Sequence, residues 1–150
     1  MLTEQNMTMG DEFKTMYNGS FTSALRWPQL DALWKQVKTQ PTGWYIYCVG
    51  EPLPTQPAAP DHLFAFIQEV DKLLRQDHDY DYCGIVYADN MTQPSLIKIY
   101  DPNNLGASCG SSGQKVEPRW ILSQIIPQQI HNDAPIPMNR KRWWSRLFAK

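Results

Sequence analysis

The sequence predicts an α+β fold: a single domain with a small mixed β-sheet of about four strands and two main helices packed on one face. The chain of 150 residues matches the size of one domain and suffices for one hydrophobic core. Hydrophobic residues make up 42% of it, which argues against disorder along the whole length. Apolar residues recur at helical spacing in two segments, and short runs rich in β-branched and aromatic residues accompany them.

The chain divides into three segments. Residues 1–25 are polar, Met-rich and without hydrophobic periodicity, so we expect a flexible N-terminal arm. Residues 26–130 hold the helix and strand patterns of the α+β domain. Residues 131–150 begin as a Pro-containing linker and end in a basic aromatic segment.

The first predicted helix begins near Pro28, because proline is favoured in the first turn of a helix. Its apolar positions follow the spacing i, i+3, i+4, i+7 and are Leu30, Leu33, Trp34 and Val37. Pro41 and Gly43 end it. A buried strand is expected next over residues 44–49, followed by a proline-rich connection over residues 50–60.

The second helix is the most strongly patterned element. Asp61 can cap its beginning. One apolar stripe runs along it and consists of Leu63, Phe66, Ile67, Val70 and Leu74.

Three further strands are predicted over residues 82–88, 96–100 and 120–126. The first two are close in sequence and should pair antiparallel. Strand 44–49, the second helix and strand 82–88 could form a right-handed crossover, which would make the sheet mixed. The pattern of residues 120–126 also suits a short helix.

Cysteine usage favours a reducing compartment. Cys48, Cys83 and Cys109 cannot all pair within one chain, and none lies in a C-x-x-C motif. The first residues do not have the pattern of a secretory signal, and no run reaches the roughly 20 apolar residues of a membrane-spanning helix. We therefore expect a cytoplasmic protein, with a peripheral position at the inner membrane surface as a variant.

A loop rich in glycine and serine is the first candidate site. Its small residues let a ligand approach the backbone, and its amides can bind an anion. The candidate residues are Gly106, Ser108, Cys109, Gly110, Ser111, Ser112, Gly113 and Lys115.

Two known motifs fail on this loop. Residues 106–110 match G-x-S-x-G, the nucleophile elbow of α/β-hydrolases, with Ser108 as nucleophile. That turn needs a helix directly behind it, whereas a polar stretch ending in Pro118 follows. Lys115 follows the glycines without the spacing of a P-loop.

Cys109 carries the alternative function, a small thiol-dependent enzyme or redox protein. A thiol between small residues on a loop can be exposed and ionisable. Its base would be His62, His78 or His131, and no motif places any of them beside it. The other interpretation is that Cys109 is only a small residue in a tight loop.

The sequence predicts no metal site and no cofactor. Residues 77–81 space three aspartates like the first half of an EF-hand, but Tyr82 replaces the glycine and Ala88 the glutamate that the loop requires. We interpret the run as a solvated connection. Cys48 and Cys83 lie in predicted strands without zinc-ligand spacing and should be buried small residues.

The C-terminal segment is the second candidate site. If it is helical, one side carries aromatic and aliphatic residues and another carries basic residues. The candidate docking residues are Arg140, Lys141, Arg142, Trp143, Trp144, Arg146, Leu147, Phe148 and Lys150. They would bind a protein partner or a membrane surface. The alternatives are that the segment packs on its own domain or forms a disordered tail.

The charge distribution disfavours nucleic acid. Five basic residues of the last eleven, subtracted from the net charge of −1, leave the other 139 residues at −6. Such a body repels phosphates. Because the sequence has no complete catalytic motif and its C-terminal segment is suited to docking, the leading hypothesis is a non-catalytic cytoplasmic binding or adaptor protein with a protein partner.

Overall fold

A computed structural model of the chain describes residues 9–78, 80–102, 117–131 and 136–148. It confirms the α+β class. The helices in the described residues are α1 (Met9–Tyr17), α2 (Trp27–Thr39), α3 (Pro60–Asp77) and α4 (Met138–Phe148). The strands are β1 (Thr22–Ser23), β2 (Tyr45–Cys48), β3 (Val86–Ala88), β4 (Leu96–Ile99) and β5 (Trp120–Ser123).

The sheet differs from the prediction in its size and in its pairing. It has the strand order β1-β3-β4-β5-β2, so the described residues form five strands rather than four. Each neighbouring pair is antiparallel, which corrects the expectation of a mixed sheet. The predicted crossover is wrong because β2 pairs with β5, Ile46 opposite Leu122, and α3 carries the chain past β5 and β4 to β3.

The main core lies between one face of the sheet and α2 and α3. Both predicted helical stripes are buried there, from Leu30 to Val37 in α2 and from Leu63 to Leu74 in α3. The sheet contributes alternate side chains such as Ile97, Ile99 and Leu122, because successive residues of a strand point to opposite faces. Residues 120–123 form a strand, so the alternative of a short helix is wrong there.

The opposite face of the sheet carries a second, smaller cluster. Phe13 and Tyr17 of α1 pack against Tyr47, Leu96 and Ile121. The sequence predicted a flexible arm over residues 1–25, whereas the described part of that segment forms α1 and the edge strand β1. The helix forms because apolar side chains on this second face would otherwise be exposed to water.

The two main helices, α2 and α3, thus pack on one face of the sheet as predicted, and α1 covers the other. None of the helices in the described residues is long and apolar enough to cross a bilayer.

Candidate binding surfaces

The C-terminal candidate segment is helical from Met138 to Phe148 and is attached to the domain by Arg140. Only 5% of Arg140 is exposed. Its Nε donates to Asp101 Oδ2 at 2.9 Å, and its Nη2 donates to Asp101 Oδ1 at 3.1 Å and to Asp77 Oδ2 at 2.7 Å. Burial by itself lowers the pKa of Arg140, but the two carboxylates outweigh it and raise that pKa, so the guanidinium stays charged.

The aromatic side of α4 also packs on the domain. The Trp143 ring lies 5.5 Å from the Trp120 ring and 6.3 Å from the Phe66 ring, measured between centroids. The Trp144 ring lies 6.4 Å from that of Phe66, and Leu147 packs against the same core. These three candidate docking residues are partly buried, which agrees with the alternative that the segment packs on its own domain.

The other side of α4 faces solvent. Lys141, Arg142 and Arg146 are exposed, and we call these three residues the basic face. Arg142 and Arg146 are one helical turn apart and so lie on the same side. The Phe148 side chain and Lys150 lie outside the described residues. The structure thus divides the predicted docking residues into an internal set and an exposed cationic set.

A second surface was not predicted from the sequence. Tyr80 is 65% exposed, Tyr82 is 52% exposed, and Leu25 beside them is also exposed. Trp27 and His78 lie beneath, with the His78 ring 4.9 Å from that of Tyr80 and 6.2 Å from those of Trp27 and Tyr82. We call these five residues the aromatic patch.

Hydrogen bonds hold the aromatic patch in shape. Trp27 Nε1 donates to the Tyr80 carbonyl at 2.8 Å, and the backbone N–H of Cys83 donates to the Leu25 carbonyl at 2.7 Å. His78 is buried, and its Nε2 has no hydrogen-bond partner among the described residues. The sequence signal for this patch is the alternation of aspartate with an aromatic ring over residues 77–82, a pattern that is also typical of a solvated connection.

The same run does not form a metal site in the part of the chain that the structure describes. Asp77 is engaged by Arg140, and no group of three or more His, Cys, Asp or Glu among the described residues could hold a metal ion.

The glycine and serine loop lies outside the described residues, so its anion-binding and Cys109 hypotheses stay predictions. The candidate residues concerned are Gly106, Ser108, Cys109, Gly110, Ser111, Ser112, Gly113 and Lys115. The segments that flank it are attached on both sides. Asp101 before it holds Arg140 of α4, and Glu117 after it accepts a hydrogen bond from the Tyr17 hydroxyl of α1.

The two described thiols are buried, as predicted. Burial raises the pKa of Cys48 to about 12, and burial likewise raises the pKa of Cys83. Both thiols remain protonated at neutral pH and are poor nucleophiles.

No family model, curated protein or solved structure matches this chain.

Proposed function

We propose that this protein is a non-catalytic cytoplasmic binding or adaptor protein that docks to an acidic protein partner through the basic face of α4. The observation that carries the proposal is the division of α4 into two sides. Trp143 and Trp144 contact Phe66, whereas Lys141, Arg142 and Arg146 face solvent. The domain thereby presents three cations on a helix whose position Arg140 fixes.

This arrangement favours a protein partner over a membrane surface. A helix that binds in the plane of a bilayer buries its apolar side among the lipids. The apolar side of α4 already contacts Phe66 and Trp120, so insertion would first have to separate it from the core. Charge alone supplies about 1 kcal/mol per basic residue at an anionic membrane, which for three residues is a weak interaction.

The aromatic patch supports the adaptor hypothesis with a second surface. Tyrosine and tryptophan are enriched in the centres of protein interfaces, since their rings bury a large area and keep a polar group at the edge. Three residues of the patch, His78, Tyr80 and Tyr82, follow shortly after Asp77, the residue at the end of α3 that binds Arg140.

The experiment removes the charge of the basic face while the fold is kept. A variant carrying Lys141→Gln, Arg142→Gln and Arg146→Gln is compared with wild type in quantitative affinity purification from the native cell. The matched control carries Lys14→Gln, Lys35→Gln and Lys38→Gln, which removes three exposed cations from α1 and α2. The free energy of unfolding of both variants should lie within about 0.5 kcal/mol of the wild-type value, because the substituted residues are on the surface.

We expect an acidic protein that wild type and control retain and that the α4 variant loses, with weaker binding at higher salt. Equal retention by all three proteins, or equal loss in the control, would contradict docking through the basic face. Vesicles containing phosphatidylserine form a parallel arm: binding that is strong and needs Trp143 would assign the surface to membranes.

A further inference from the structure

A polar cleft of about 510 Å³ lies at one end of the sheet. It is bounded by the end of α2, the connection between β3 and β4, and the residue that follows β5. Strands β2 and β4 begin at this end, whereas β3 and β5 finish here, as an antiparallel sheet requires. The cleft has the volume of a site for a small ligand, commonly about 300–1,000 Å³.

Its lining is polar and uncharged. Of the nine described residues that line it, seven have amide or hydroxyl side chains and none carries a charge. Four are the amides of Gln36, Gln40, Gln93 and Gln124. A carboxamide offers both donors and an acceptor, so this lining can satisfy a ligand whose groups also donate and accept.

Charged ligands fit this lining poorly. A charge that enters the cleft loses hydration and finds no opposite charge among the described lining residues. Helix α2 ends at Thr39 beside the cleft, and the C-terminus of a helix carries partial negative charge that disfavours anions. Phosphates and carboxylates are therefore poor candidates, while neutral hydroxyl groups are suited to the amides.

The walls of the cleft are held in place before any ligand binds. Asn90 Oδ1 accepts hydrogen bonds from the Thr92 backbone N–H at 2.9 Å, the Thr92 hydroxyl at 2.8 Å and the Gln93 backbone N–H at 3.0 Å. On the other side, the Gln124 backbone N–H donates to the Ser95 carbonyl at 2.8 Å. A cleft held in this way requires little ordering when a ligand binds.

The Gln124 side chain is hydrogen-bonded to the turn before β2, next to Gly43. Its Nε2 donates to the Thr42 carbonyl at 3.3 Å. A Cβ atom on Gly43 would come within 3.3 Å of Gln124 Oε1, and Gly43 has a φ of +87°, which favours glycine. Pro94 supplies partly exposed carbon surface to the same cleft. Trp44 also borders it but is only 2% exposed, and its indole N–H donates to the Gln40 carbonyl at 2.9 Å.

We infer that this cleft is a binding site for a neutral saccharide. Sugars present closely spaced hydroxyl groups, which both donate and accept, together with C–H faces that can pack against the carbons of Pro94. The inference is separate from docking through α4, since the two sites share no residue.

The test is an NMR titration of the ¹⁵N-labelled full chain with neutral disaccharides, maltose, sucrose and diacetylchitobiose, and with glucose 6-phosphate as a charged counterpart. We expect saturable shifts of the backbone amides of Thr92, Gln93 and Ser95 with at least one neutral disaccharide and none with the phosphate. Gln93→Ala should weaken that binding roughly fivefold to tenfold, because hydrogen bonds to the ligand are lost. Gln68→Ala changes an exposed glutamine of α3 outside this cleft and should leave the affinity unchanged.

Three results would overturn the inference: no saturable shift with any of the neutral sugars, equal shifts with glucose 6-phosphate, or unchanged affinity in Gln93→Ala. Both variants replace exposed side chains, so the spectrum of each should remain that of a folded protein.

Discussion

Cys48 shows how burial changes the chemistry of a single residue. It lies in β2 with 2% of its surface exposed, and the main core surrounds it. Burial is the largest cause that raises its pKa to about 12, and nearby Arg119 only partly opposes it. The thiol therefore keeps its proton in the folded protein at pH values where an unfolded chain loses it. Such a thiol packs as a small apolar group.

This difference predicts a loss of stability in alkaline solution. The pKa of Cys48 is 9.0 in the absence of its environment and about 12 in the fold, so the free energy of unfolding should fall as the pH rises between these values. Urea unfolding of wild type and Cys48→Ala across this range measures it. The substitution shifts stability by a constant amount, so a shallower fall in Cys48→Ala is the expected sign. Burial also raises the pKa of Tyr100 to about 12. The free energy of unfolding should therefore fall to some extent with rising pH in both proteins. Identical slopes would contradict the prediction.

At the scale of elements, packing against the rest of the domain stabilises both α1 and α4. Each is short, and each packs its aromatic side on a surface that other elements build. Tyr17 of α1 also stacks beneath Lys98, whose Nζ lies 4.1 Å from the ring centroid and donates to the Tyr17 carbonyl at 2.7 Å. In α4 the corresponding polar attachment is the pairing of Arg140 with Asp101 and Asp77.

Removing the Arg140 side chain should lower the free energy of unfolding substantially. Arg140→Met leaves the buried Asp101 carboxylate without its guanidinium, and losing one partner of a buried ion pair typically costs about 3–5 kcal/mol. Urea unfolding measures the change. Arg142→Met, an exposed neighbour on the same helix, is the control and should stay within about 0.5 kcal/mol of wild type. Adding Asp101→Asn to Arg140→Met should recover part of the loss. Similar stability of the two Met variants would contradict the role assigned to Arg140.

At the scale of the molecule, the strand order sets how stability is distributed. β4 lies between β3 and β5, with hydrogen-bonded neighbours on both sides, whereas β1 is a two-residue edge strand. Both faces of the sheet are covered near its centre, by α2 and α3 on one side and by α1 on the other. Local opening should therefore begin at β1 and reach β4 only with global unfolding.

Hydrogen exchange tests this order directly. The backbone amides of β4 and β5 should exchange most slowly among the strands, and those of β1 most rapidly. If β2 lay beside β3 instead, β5 would lose its partner on one side and would exchange faster than β3. Residue-resolved exchange by NMR distinguishes these arrangements, with the interior residues of α3 as an internal reference for global unfolding.

The sequence by itself determined the elements whose signal is local. The stripes of α2 and α3 and the positions of most strands follow from periodicity and from turn residues within about ten positions of each other. It also identified the basic aromatic segment of residues 140–150 as a candidate surface. It could not decide which of those side chains face solvent, because that depends on Phe66 and Trp120, which lie far away along the chain.

Only the tertiary structure decided the remaining features. The pairing of β2 with β5, the aromatic patch and the polar cleft each join residues separated by tens of positions, as Gln36 and Gln124 are in the cleft. Such contacts leave no period in the sequence, since they depend on which surfaces compete for burial once the local elements have formed. The α+β class is thus a local property of this chain, while its binding surfaces are a property of how its elements pack.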